Sequence, residues 1–489
     1  MPLSEVILVV MGLLTIAMIA AAICKNIPVP YTVFLVILGI ILGSIARHYP
    51  ELGLLLEFQL TPDLVLFLFL PALIFESALN LDARLLMKDI IPILVLAIPA
   101  MLISAGLIGV GLWMIQDFNI FHALLFGALI SATDPVAVIA LFKELGAPQR
   151  LTILVEGESL LNDATAIVFF NIILGLAITE QFTASDAGFA VLEFFRVFFG
   201  GLFVGGIIGI VLSELLYRIR AGMSSYIIMS IVLAYGSFAI AEHIMHVSGV
   251  MAVVTAALVL GSRGRSVITQ STWHGLEEVW EQIGFVANSV IFILVGLKVP
   301  SIMAAMSSQQ FVWLGVLLLA GFIARFAIIF GLVPVMSKLG WSAQVSTGYR
   351  AVMFWGGLRG AVSLALALAV MENDGFSPQI QEFLGVMVTG FVLFTLAINA
   401  TTVSLVMRAF GLAKLGPADA AIRDRAFSKA MASVSTRVQG SARAMHIGEE
   451  QTNQVVKPYE QLIADSAKNV TDNKLSDDDW LLIGLRMVC

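Results

Sequence analysis

Ser131-Ala132-Thr133-Asp134-Pro135 and, a little further on, Glu156-Gly157-Glu158-Ser159-Leu160-Leu161-Asn162-Asp163 set carboxylates deep inside apolar runs. Each run is long enough to cross a bilayer, whose hydrocarbon takes about 20 residues of helix. An ionised carboxylate there is costly, so its presence points to a task, and a path for a cation or a proton is the simplest one. Pro135 removes a donor from the helix ladder and turns Asp134 away from helical geometry. The run should therefore unwind at its centre, freeing the carbonyls around Ala132 and Thr133 and exposing the N-terminus of a half-helix. Freed backbone at that depth is tolerated only where it lines a cavity or is buried in protein.

The rest of the chain agrees with a membrane setting. Of its 489 residues 59% are hydrophobic and 12% charged, against roughly 25% charged in a soluble protein, and the mean hydropathy is +0.97. The class expected is an all-α polytopic membrane protein. Thirteen runs are candidates for crossing, near 5–23, 29–46, 62–80, 89–114, 121–143, 149–178, 188–218, 224–246, 248–262, 277–298, 311–336, 347–371 and 383–408. No basic leader or small-residue cleavage site precedes the first, which is therefore expected to be retained. Loops after odd-numbered runs hold Lys25, Arg84, Lys88, Lys143, Arg150, Arg218, Arg220, Arg263, Arg265 and Lys338, whereas loops after even-numbered runs hold Arg47 and Lys298. Basic residues favour the cytoplasmic side, so the N-terminus is expected outside and the C-terminus inside. Residues 1–410 read as the transmembrane domain and 411–489 as a cytoplasmic tail, partly helical across Ala418 to Met445, with a small amphipathic element at Asp477–Ile483. Cys24 and Cys489 are too few for a disulfide framework or a thiolate metal site.

A weak internal symmetry runs through the apolar part. Run 5 is broken at Thr133-Asp134-Pro135 and run 12 at Gly356-Gly357-Leu358-Arg359-Gly360. Seven runs apart, the two breaks face the membrane in opposite senses. Paired broken helices in two inverted halves mark a transporter site at the midplane. Runs 1–6 and 8–13 would be the repeats, with run 7 linking them.

Within run 6, Ser159 and Asp163 stand four residues apart on one helix face, with Glu156 on the same stripe. Glu158 and Asn162 form a second such pair, turned about 100° away given 3.6 residues per turn. Carboxylate, hydroxyl and carbonyl oxygens suit a hard monovalent cation, while a transition metal would want nitrogen or sulfur. A bare carboxylate is penalised by burial, and a proton or a cation relieves the penalty equally, so the two compete for Asp163. Arg359, between glycines, needs an acidic partner at this depth; Glu158 is the first candidate and Asp134 the second. Glu76, near the cytoplasmic end of run 3, is a candidate for the inward funnel. Arg325 and the pair Glu242-His243 read as structural. No metal spacing appears among the histidines.

Together Ala132-Thr133-Asp134-Pro135-Val136-Ala137-Val138, Glu156 to Asp163, and Gly356-Gly357-Leu358-Arg359-Gly360-Ala361-Val362 resemble the cation/proton antiporter family, most closely its NhaP and NHE type of sodium/proton exchangers. The likeness spans about residues 5–408. It implies a homodimer in the plasma membrane, with dimerisation helices near 5–80 and 188–298 and a mobile core near 89–178 and 311–408. It also implies that Asp163 binds ion and proton in turn. Asp134, Ser159 and the Thr133 carbonyl would complete the Na+ shell, Glu76 would contribute through water or as a gate, and Glu158 and Arg359 would form a structural ion pair. Electroneutral members resemble this chain in having Asn-Asp at Asn162-Asp163, where electrogenic relatives carry Asp-Asp. The activity implied is exchange of one Na+ or Li+ for one H+, without cofactor, enzymatic chemistry or nucleic-acid partner. Exchange of K+ is the nearest rival; a cation channel and an ion-sensing membrane protein are more distant ones.

Overall fold

The computed structural model describes all residues except 1–2, 25–26, 28, 50–51, 59–60, 116–117, 180–183, 220–221, 413–416, 445–447 and 473–489. The candidate element at Asp477–Ile483 and Cys489 lie outside the described residues. The chain is an all-helical polytopic membrane protein, with no strand among the described residues. Its main helices are α1 (Leu3–Cys24), α2 (Tyr31–Ala46), α3 (Leu64–Asn80), α4 (Ile90–Trp113), α5a (Ile120–Ser131), α5b (Val136–Leu145), α6 (Gln149–Thr179) and α7 (Ala184–Ile219). There follow α8 (Met223–Ile244), α9 (Gly249–Val267), α10 (Gln270–Ala305), α11 (Ser308–Lys338), α12a (Thr347–Trp355), α12b (Ala361–Met371) and α13 (Pro378–Ala409). Each of the thirteen apolar runs falls on helix, runs 5 and 12 on a pair of half-helices each. Among the described residues nine helices, counting α5a and α5b as one, are long and apolar enough to cross a membrane by length and composition, and α2, α3 and α12b are shorter apolar helices.

Two clusters of helices make up the unit that runs through Leu141 and from Gln149 to Phe410. In one, α4 packs on α5a and α11, α5a on α6, α12b and α13, and α11 on α13. In the other, α2 packs along α10, α3 against α9 and α10, and α7 against α8 and α9. Small residues set the spacing of the second cluster. A side chain on Gly39 would meet the carbonyl of Ile293 and, at 2.8 Å, the Cα of Gly296, so α2 and α10 touch backbone to backbone. Gly205 of α7 meets Ala252 of α9 in the same way, as expected where close van der Waals approach, rather than apolar burial, joins helices in lipid.

In the first cluster, α4 and α11 each contain a π-helical turn, Leu96–Ala100 and Ala327–Leu332. The first encloses Pro99, whose missing N–H cannot close an ordinary helical hydrogen bond. The two turns pack on each other.

A second unit comprises Phe142–Pro148 and the chain from Gly411 onward. In it the helices α14 (Pro417–Ala444) and α15 (Glu449–Asp472) pack together.

Candidate cation-binding site

The two broken helices cross at their breaks. α5a ends at Ser131, Ala132 is extended (φ −60°, ψ 136°), and the chain resumes as helix at Val136. α12a ends at Trp355, and Gly360 (φ −141°, ψ −147°) leads into α12b. The Asp134 N–H donates to the Leu358 carbonyl at 3.0 Å, joining the two breaks directly.

Charges complement all four half-helix ends. The Asp134 carboxylate accepts from the Val136 N–H at 3.0 Å and from the Ala361 N–H, so one side chain caps the N-termini of both second halves. Arg359 sits at the opposite ends. Its Nε donates to the Ile130 carbonyl at 2.6 Å, and its Nη1 to the Gly357 carbonyl at 2.5 Å, near the C-termini of both first halves. Anions at helix N-termini and cations at C-termini are each stabilised by the macrodipole. Gly360 is required here, because a Cβ on it would fall on the Asp134 carboxylate. The Arg359 guanidinium also lies 5.7 Å from the Phe391 ring centroid, and its backbone N–H donates to Thr395 Oγ1 at 3.2 Å.

Helix α6 runs alongside and is stitched to the first break. The Ser159 hydroxyl donates to the Thr133 carbonyl, and Asn162 Nδ2 donates to the Ser131 carbonyl at 3.2 Å and to Thr133 Oγ1 at 3.1 Å. Thr133, Asp134, Ser159 and Asn162 are thus brought together. Asp163 follows on α6, partly buried, with no hydrogen bond to its carboxylate among the described residues, and close enough to Asp134 for the two carboxylates to repel. Two acids in mutual repulsion, beside a hydroxyl and a carbonyl with a lone pair to spare, form a site that one monovalent cation would relieve.

Glu158 is not where the sequence reading put it. It is 2% exposed and pairs bidentately with Arg325 of α11, with Nη2 to Oε2 at 3.2 Å, while Arg325 Nη2 also donates to the Met353 carbonyl at 3.0 Å. Arg359 has no ion pair among the described residues. The reason is physical: breaking two helices frees carbonyls, and these supply the guanidinium with acceptors and a favourable dipole, so it has less need of a carboxylate. A lone arginine in the apolar run of α11 was the available signal for the true partner.

Glu76 and Glu156 are the remaining candidates. Glu76 sits on α3, accepts from Asn80 Nδ2 at 3.2 Å, and packs against α10, where a Cβ on Gly284 would be 3.0 Å from its carboxylate. Glu156 is partly buried on α6, two turns before Asp163.

Comparison with known proteins gives the family. The Na(+)/H(+) antiporter ApNhaP of Aphanothece halophytica is 37% identical over 387 residues, covering 78% of this chain and 70% of its own length. The Na(+)/H(+) antiporter NhaH of Halobacillus aidingensis is 32% identical over 414 residues, covering 84% of this chain and 99% of its own. The structure of the sodium proton antiporter MjNhaP1 from Methanocaldococcus jannaschii superposes with a TM-score of 0.67 at 20% identity, over 84% of this chain and 99% of that one, and so shares the fold. The profile of the sodium/hydrogen exchanger family, transmembrane region, matches residues 13–409. With these matches, the chain belongs to the sodium/hydrogen exchanger family of membrane transporters.

Proposed function

We propose that the chain is an electroneutral sodium/proton antiporter, exchanging one Na+ (or Li+) for one H+ at Asp163. The charge balance at the crossing carries the reading. Asp134, Glu158 and Asp163 face Arg325 and Arg359, which leaves one negative charge that a single cation or a single proton cancels. Glu158 is committed to Arg325, and Asp134 to two helix ends, so Asp163 is the carboxylate left to exchange. Both loaded forms are neutral, whereas the empty form would carry an uncompensated charge through low dielectric, and that cost couples the two fluxes. The names of the relatives support sodium as the cargo.

In this reading all thirteen helices cross the plasma membrane, with the N-terminus outside and the C-terminus cytoplasmic. The cluster of α4–α6 and α11–α13 moves against the other, which holds a second copy as a homodimer. Ser159, Asp134 and the Thr133 carbonyl complete the ion shell, and Glu76 and Glu156 line the approach. The test is proton flux in proteoliposomes carrying a pH dye, driven by sodium and then by potassium gradients. Sodium-driven flux that persists with the voltage held at zero and is lost in Asp163→Asn is expected. Strong exchange by folded Asp163→Asn would refute the site. Flux driven by potassium alone would reassign the cargo.

A further inference from the structure

The stitch between α6 and the first break has a counterpart at the second. Asn162 reaches the Ser131 carbonyl that ends α5a; Asn399 Nδ2 of α13 reaches the Trp355 carbonyl that ends α12a, at 3.0 Å. Both amide oxygens are buried with no partner among the described residues. The residue that follows differs: Asp163 in α6, Ala400 in α13. Beside Asn399 lies a cavity lined also by Arg325, Gly357, Arg359, Phe391 and Thr395, with about 10 Å3 open to the centre of a water-sized molecule.

Chemistry selects the occupant. Arg325 Nε is buried and has no partner among the described residues, while its Nη atoms serve Glu158 and Met353. Arg359 spends Nε and Nη1 on carbonyls. Asn399, 1% exposed, has its Nδ2 fixed on Trp355, so its amide cannot turn and Oδ1 remains an acceptor. Two guanidiniums exclude a cation. An anion would meet the amide oxygen, and the volume only reaches the threshold of one water. A water can accept from Arg325 Nε and donate to Asn399 Oδ1.

We propose that this cavity is the repeat-related counterpart of the cation site, and that it holds one water bridging Arg325 Nε to Asn399 Oδ1 beside Arg359. The second half of the crossing thus takes a neutral guest where the first takes a charged one, and the chain binds a single cation. The water stands independently of transport; the cation count rests on the exchange reading above.

The test is a map of the full chain at a resolution that shows ordered water, collected with bromide replacing chloride and with sodium binding counted in parallel. Expected is one peak within about 2.7–3.2 Å of both Arg325 Nε and Asn399 Oδ1, no bromide signal there, and one sodium per chain. An empty cavity or a bromide peak would overturn the water; two sodium ions per chain would overturn the neutral counterpart. Loss of the peak in Asn399→Leu supports the bridge, and its persistence there refutes it. The map of the unaltered protein decides even where that variant does not fold. A water peak in protein that binds no sodium would uphold this site while refuting the exchange reading.

Discussion

Replacing Arg325 by Gln should destabilise the protein by about 3–5 kcal/mol, the range for removing one partner of a buried ion pair. The structure gives the reason. Glu158 is 2% exposed, so no solvent replaces the guanidinium, and the Met353 carbonyl loses a donor as well. A double-mutant cycle separates this pair from its rival. Glu158→Gln, Arg325→Gln and their combination, unfolded in mixed micelles, should yield a coupling of about 2–3 kcal/mol. The matching cycle with Arg359→Gln should give no more than about half of that, because Arg359 acts on Glu158 only through the longer-range field, which falls off with distance. A Glu158–Arg359 coupling equal to or above the Glu158–Arg325 value would refute the assignment of partners.

Other expectations follow from single contacts. Gly360→Ala places a methyl group on the Asp134 carboxylate and should cost about 1–3 kcal/mol or more as an overpacking defect and abolish most exchange; Gly331→Ala, with nothing among the described residues within 4 Å of the new Cβ, is the control that should stay active and stable. Normal exchange by Gly360→Ala would mean that the breaks are looser than described. Glu372, just past α12b, has its carboxyl raised from the ordinary value by partial desolvation and by the Asp63 carboxylate, against the lowering pull of Lys298. A raised carboxyl favours the folded state while protonated and loses that contribution as pH climbs through the folded value. Glu372→Gln should therefore be more stable than the parent at neutral pH, with the difference vanishing below the ordinary carboxylate range; melting curves across pH decide, and a difference that grows toward acid would reverse the sign.

The membrane class and the breaks were legible in the sequence, because Pro135 and the glycines around Arg359 act on their own backbone whatever surrounds them. The Ser159 and Asp163 face was legible for a similar reason: helix periodicity fixes it locally. What the sequence hid was pairing across distance. Glu158 meets Arg325 from 167 residues away, and the choice between two arginines turned on free carbonyls that exist only once two helices have broken and crossed. Asn399 gives no signal in the sequence, because an amide in an apolar run, with Ala400 after it and no acid beside it, carries no charge. Its resemblance to Asn162 shows only when both are seen reaching for the last carbonyl of a broken helix.

The contact between Gly39 and Gly296 bears on where force can go. With backbone lying on backbone at this point, α2 and α10 have no side-chain cushion there to compress or re-rotamerise, so the contact resists shear and swelling. If one helix cluster travels through the membrane while carrying its ion, the other must bear the recoil without deforming. A seam made of glycines is stiff for the same reason that it is close. Larger residues at either position would add contact area and take away rigidity, turning an anvil into a spring.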